Sequence, residues 1–164
     1  MKHARTVPGR YVHVRTIIPL NECFLPNLEL RSPYLNRDVE LLERVQRLFT
    51  RRLPCFDSQT YEQRLSFLEL ETLKRRRTIR DLVMTYKIIH GHVNLNFDLF
   101  FEYAPNVGTR GHSYKLLVKR SRLDIRKHFF AIRIVPVWNS LPASVVDSET
   151  PQIFKSRLDS VVIP

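Results

Sequence analysis

Residues 38–52, with the sequence Asp-Val-Glu-Leu-Leu-Glu-Arg-Val-Gln-Arg-Leu-Phe-Thr-Arg-Arg, carry the clearest helical pattern in the chain. Asn36 or Asp38 can cap the start of this helix, and Pro54 lies just beyond its end. The stretch therefore predicts an amphipathic helix. Its apolar residues recur at helical spacing and form one stripe: Leu41, Leu42, Val45, Leu48 and Phe49.

Further helices are predicted on both sides of the middle of the chain. Thr60 followed by Gln63 matches a capping box. Residues 71–90 keep a 3.6-residue apolar period, and Gly91 is placed to end that helix in a left-handed conformation. Thr150 as N-cap with Pro151 at the first helical position begins the last helix.

One stretch departs from the helical period. Residues 112–119 alternate between two faces, which predicts a strand or hairpin arm with one basic face. Helical spacing returns at Ile125, Phe129 and Ile132, and Pro136 should kink or end that helix near Ile134. The fold class is therefore mainly α, a small helical domain of about five helices with one short β-strand or hairpin element.

The chain divides into two regions by pattern. Residues 1–31 contain several prolines and no sustained period, and we expect a divergent, poorly packed N-terminal segment there. Residues 32–164 hold all the helical patterns. With 164 residues, two cysteines and no apolar run long enough for a membrane span, the composition excludes a disulfide scaffold and a membrane protein.

Charge is the strongest compositional signal. Lys and Arg number 27 against 16 Asp and Glu, a net charge of +11 that favours polyanions such as nucleic acid. Residues 110–133 supply much of this excess. We predict phosphate contacts from that stretch and from a second basic cluster: Arg110, Lys115, Lys119, Arg120, Arg122, Arg126, Lys127, Lys74, Arg75, Arg76 and Arg77. The run 74–77 is also typical of a nuclear import signal.

Aromatic residues lie among these cations. An exposed aromatic ring can stack on a base while the neighbouring cations follow the phosphates. The alternative is that the ring belongs to the core, and we assign Phe129 to the core together with Trp138 and Leu141.

No pattern for catalysis or for a metal is present. The Asp residues are scattered singly, so they do not form the carboxylate cluster that two-metal phosphoryl transfer requires. His90, His92 and His112 are too few for a closed zinc site, and Ser113 lacks the flanking glycines of a nucleophile elbow. We expect no enzyme activity, cofactor or small-molecule substrate.

Five ordered stretches together resemble the C-terminal part of the reverse transcriptases of jockey-like non-LTR (LINE) retrotransposons. They are Ser32–Arg47, Tyr86–Gly91, Thr109–Leu116, Val137–Pro142 and Phe154–Leu158. The resemblance implies an origin in an RNA-directed DNA polymerase. The aromatic-x-Asp-Asp motif of the polymerase palm has no counterpart in this chain, so the family's catalytic residues cannot be carried over.

These observations predict a non-catalytic nucleic-acid-binding fragment of a LINE-type reverse transcriptase that lacks palm and endonuclease. Its partner would be RNA or DNA, without preference from the sequence, and its location nuclear or cytoplasmic rather than secreted. The alternative is an inert or protein-binding remnant of a truncated element, whose exposed apolar stripes would recruit a partner. The oligomeric state is open.

Overall fold

The computed structural model describes residues 36–54, 56, 58–105 and 111–162. The expected N-terminal segment 1–31 therefore lies outside the described residues. The described part of the chain is mainly helical, as predicted, and five of its helices have eight or more residues. Those helices are α1 (Asn36–Arg51), α2 (Tyr61–Leu68), α3 (Leu73–Ile89), α5 (Phe130–Ser140) and α7 (Pro151–Asp159). The described residues also form two short α-helices, α4 (Asp124–Lys127) and α6 (Ala143–Val146), and one turn of 3-10 helix, Phe97–Leu99.

The chain separates into two compact units, divided between Leu73 and Lys74. The first contains α1 and α2, and the second contains the helices from α3 onward. The sequence did not predict this division, because it falls at the start of a helix and no Gly, Pro or Ser-rich linker marks it.

The first unit packs the polar side of α1 inward. Glu43, Gln46 and Thr50 are buried, whereas Leu41 and Val45 on the apolar stripe are exposed. An amphipathic helix ordinarily turns its apolar stripe to the core, whereas Leu42 and Phe49 of this stripe are only half-buried.

Hydrogen bonds explain why polar residues of α1 can be buried. The Glu43 carboxylate accepts from the Tyr61 hydroxyl and, at 3.0 Å, from the backbone N–H of Leu73. The Gln46 amide donates to the Tyr61 hydroxyl and to the Glu71 carbonyl, each at 3.0 Å. Buried polar groups that are hydrogen-bonded avoid the desolvation cost of isolated ones.

The helix ends follow their local signals. Thr60 and Gln63 form the predicted capping box at the start of α2. Gly91 has a φ of +67° after α3, and His92 N–H donates to the Lys87 carbonyl at 2.8 Å, which completes a Schellman motif. Thr150 caps α7 with Pro151 at its first turn. All three predictions are confirmed.

The second unit holds an apolar core built around Trp138, which is fully buried. Tyr86 from α3, Trp138 from α5 and Phe154 from α7 meet there, with ring centroids 4.5 Å apart for Tyr86 and Phe154 and 5.9 Å apart for Trp138 and Phe154. Leu141 is also buried, so the assignment of Trp138 and Leu141 to the core is confirmed.

The predicted strand is reduced to one bridge in the described residues. Tyr103 and Leu116 form an isolated antiparallel bridge, with Leu117 N–H donating to the Glu102 carbonyl at 2.7 Å. Asn139 of α5 binds both backbone groups of Leu116, accepting from its N–H at 2.9 Å and donating to its carbonyl at 2.8 Å. The side-chain amide thus takes the place of a neighbouring strand.

The helix around Pro136 differs from its prediction. We expected one helix from Ile125 that Pro136 would kink or end near Ile134. Instead α4 and α5 are separate, and α5 continues through Pro136 to Ser140. Pro136 itself is exposed, while Ile134 and Trp138 on either side of it are buried. Burial on both sides of the proline holds the two halves of α5 together although one helical hydrogen bond is missing.

Candidate nucleic-acid interface

The best candidate interface is residues 118–129, which we call the basic segment. It begins directly after the bridge at Leu116, whose backbone is held by Asn139. The indole N–H of Trp138 donates to the Tyr114 carbonyl at 2.8 Å, which holds the backbone two residues before Leu116. The basic segment therefore starts from a backbone anchored to the core of the second unit.

The cations of the basic segment face solvent. They are Lys119, Arg120, Arg122, Arg126 and Lys127, all exposed. Solvent-facing guanidinium and ammonium groups are available for the sequence-independent phosphate contacts that dominate nucleic-acid affinity. Of the predicted site residues, these five are neighbours along one short stretch of the chain, and all of them are exposed.

Lys119 has an acidic neighbour. Lys119 Nζ lies 3.1 Å from a carboxylate oxygen of Glu102, and both side chains are more than half exposed. A solvent-exposed pair contributes little to stability because water and salt screen it. A phosphate can therefore replace Glu102 as the partner of Lys119 at small cost.

The side chain of Phe129 lies at the surface. Its side chain is 57% exposed, so the assignment of Phe129 to the core is wrong. The neighbouring Phe130 packs toward the core instead, with its ring 5.8 Å from that of Phe101 in an edge-to-face arrangement. Phe129 is the N-cap residue of α5 and has an extended backbone, which turns the two rings in different directions.

The signal that distinguishes the two phenylalanines was present in the sequence. Phe130, Ile134 and Val137 are spaced by four and three residues, and Trp138 follows on the same side of α5. Ile134 and Trp138 are buried, and Phe130 and Val137 pack against the same cluster. Phe129 falls outside this spacing and precedes the helix.

The backbone next to Phe129 is fixed by a partly buried ion pair. Arg133 donates from Nε and Nη2 to one carboxylate oxygen of Asp81, at 3.1 and 2.6 Å, and from Nη1 to the His128 carbonyl at 3.0 Å. Arg133 therefore holds the backbone of the basic segment in place and is not itself part of the contact surface.

The second basic cluster has a different arrangement. Arg75 donates to the carbonyls of Leu158, Asp159 and Val161 at 3.3–3.4 Å and so caps the end of α7. Arg77 is only 7% exposed and Arg76 is half-buried, so Lys74 is the one residue of this run whose side chain is exposed. The basic cluster at 74–77 is thus divided between structural and surface positions.

Two predicted contacts remain. Lys115 is half-buried, and its side chain lies so close to Gly111 that a Cβ on that glycine would come within 2.8 Å of it. Gly111 also has a φ of +124°, which few residues other than glycine adopt. Arg110 lies outside the described residues.

The histidines serve the core of the second unit. His112 is 4% exposed, and its Nε2 lies 3.1 Å from the Trp138 carbonyl, a geometry in which a neutral ring donates its N–H. Burial lowers the pKa of His112, and it also lowers that of His90. Within the described ranges, no three His, Cys, Asp or Glu side chains converge as metal ligands would.

Comparison with protein-family models, curated proteins and solved structures found no match to this chain. None of the helices in the described ranges combines the length and apolar content needed to cross a bilayer.

Proposed function

We propose that this chain is a non-catalytic nucleic-acid-binding protein and that the basic segment is its contact surface. One observation carries the proposal: Phe129 is 57% exposed immediately after the exposed cations Arg120, Arg122, Arg126 and Lys127. An exposed ring beside a row of cations is the combination that binds single strands, because the ring stacks on a base while the cations neutralise phosphates.

The sequence resemblance indicates which kind of polyanion such a surface would bind. In this proposal the chain is related to the C-terminal part of LINE-type reverse transcriptases, and its partner is RNA or DNA in the nucleus or cytoplasm. The net charge of +11 supports a polyanionic partner.

The adjacent phenylalanines provide a matched pair of variants. Phe129→Ala should leave the free energy of unfolding nearly unchanged, because the ring is exposed, but should weaken binding to single-stranded RNA by about 1–3 kcal/mol. Phe130→Ala should instead cost about 2 kcal/mol of stability, because its ring packs against the core. Fluorescence anisotropy and urea unfolding measure the two quantities.

The variant Phe129→Trp tests stacking without removing the aromatic ring. Phe129→Trp should bind RNA at least as tightly as the unchanged chain, since a larger ring stacks as well or better. If Phe129→Ala binds RNA and single-stranded DNA as the unchanged chain does, Phe129 has no stacking role and the proposal fails.

A further inference from the structure

Helix α1 presents an apolar stripe to solvent. Leu41, Val45 and Leu48 are 48%, 49% and 48% exposed, and their spacing of four and three residues places them in one line. The opposite side of α1 is buried in its own unit through Glu43 and Gln46. The helix is therefore already anchored by its polar side, and the apolar stripe is left for another contact.

A row of arginines borders this stripe. Arg37, Arg44 and Arg51 are exposed and lie at intervals of seven residues. With Leu41, Val45 and Leu48 at positions d, a and d of a heptad repeat, all three arginines fall at position g. This is the position from which charged side chains reach across to a second helix in a coiled coil.

We propose that this face of α1 docks an acidic amphipathic helix of a partner protein. The partner helix would place apolar residues against Leu41, Val45 and Leu48 and would carry Glu or Asp where it meets the arginine row. The inference concerns α1 alone and does not depend on nucleic-acid binding by the basic segment.

Charge excludes a second copy as the preferred occupant. In an antiparallel pair, the g positions of two copies meet, and arginine would face arginine. In a parallel pair, position g faces position e, where α1 carries the apolar Leu42 and Phe49 and offers no opposite charge.

A lipid surface fits the charges less well than a helix does. Glu40 lies three residues after Arg37 and four before Arg44, beside the arginine row, and it pairs with Arg47 at 3.0 Å. An anionic bilayer would repel its carboxylate. The seven-residue arginine spacing also matches the repeat of a helix, whereas a lipid surface requires no such regularity.

The test uses the full chain and two labelled peptides of about 20 residues, each with Leu at positions a and d and with either Glu or Lys at positions e and g. We expect saturable binding of the Glu peptide by fluorescence anisotropy, at least about tenfold tighter than that of the Lys peptide. Val45→Lys should abolish the binding, and because Val45 is exposed, circular dichroism should show an unchanged fold.

Charge reversal gives the sharpest outcome. Arg44→Glu combined with Arg51→Glu should exchange the preference so that the Lys peptide binds more tightly than the Glu peptide. Equal affinity of the unchanged chain for both peptides would overturn the proposal. Binding to phosphatidylserine vesicles but not to the Glu peptide, or a dimer lost on Val45→Lys in sedimentation, would overturn it in favour of a membrane or a second copy.

Discussion

At the scale of single residues, burial decides which polar groups serve the fold and which serve the surface. His112 is buried, and its Nε2 is directed at the Trp138 carbonyl, where it serves the fold. No described group lies within hydrogen-bond distance of its Nδ1. A proton added at Nδ1 would therefore be buried without a partner, which explains the direction of its pKa shift.

This shift predicts a pH dependence of stability. Burial first, and then the positive charge of Lys115, lower the pKa of His112, while the Trp138 carbonyl and Asp147 oppose the shift. His90 is shifted in the same direction, by burial and then by His92. The unfolded chain takes up these protons near the ordinary histidine pKa of about 6.5, and the folded chain only at lower pH. Stability is therefore complete above that pKa and is lost as the pH falls below it.

Urea unfolding at about pH 7 and about pH 5.5 measures this effect. The free energy of unfolding should be lower at the acidic pH, and His112→Gln should reduce the difference between the two values, because glutamine can still donate to the Trp138 carbonyl but does not titrate. Equal stability of the unchanged chain at both pH values would contradict the assignment of a buried neutral histidine.

At the scale of elements, local signals predicted helix ends well. Thr60 with Gln63, Gly91, and Thr150 with Pro151 each act through bonds to a few residues nearby, so the sequence contains the whole cause. The orientation of α1 could not be predicted in this way. It depends on Tyr61 and Leu73, which supply partners for the buried Glu43 and are distant in sequence.

The side chain of Asn139 makes the two hydrogen bonds to Leu116 that a neighbouring strand would make. Asn139→Ala removes both hydrogen bonds to Leu116 and should cost about 1–3 kcal/mol, because the buried Leu116 backbone loses its partners. Asn139→Asp at neutral pH keeps the acceptor but sets a carboxylate oxygen against the Leu116 carbonyl, so it should destabilise the chain at least as much as Asn139→Ala does. Urea unfolding at neutral pH measures all three proteins, and an Asn139→Ala variant as stable as the unchanged chain would contradict this account.

At the scale of the whole molecule, the sequence predicted a mainly helical chain and a basic surface, but not the two compact units. Apolar periodicity identifies helices and gives no information on which helices pack together. The same limit applies to the basic residues. Composition does not distinguish Arg75, Arg77 and Arg133 from the other arginines. In the structure, tertiary contacts and burial give these three residues structural roles.

The distribution of exposed charge allows a control of equal charge for the central claim. Arg120→Gln with Arg122→Gln removes two cations from the basic segment in the second unit. Arg52→Gln with Lys155→Gln removes two exposed cations elsewhere and gives the same net charge. Any difference between the two variants therefore reports position rather than total charge.

The most direct measurement is the affinity of these three proteins for labelled single-stranded RNA across a salt series. The unchanged chain and the control should both show a log–log slope of about −3, because four or five exposed cations neutralise phosphates together. The Arg120/Arg122 variant should bind more weakly, with a slope shallower by about 1.4, because each phosphate contact to a single strand contributes about 0.7. The account would be contradicted if a monodisperse chain shows no saturable binding, or if the control loses as much of the slope as the Arg120/Arg122 variant does.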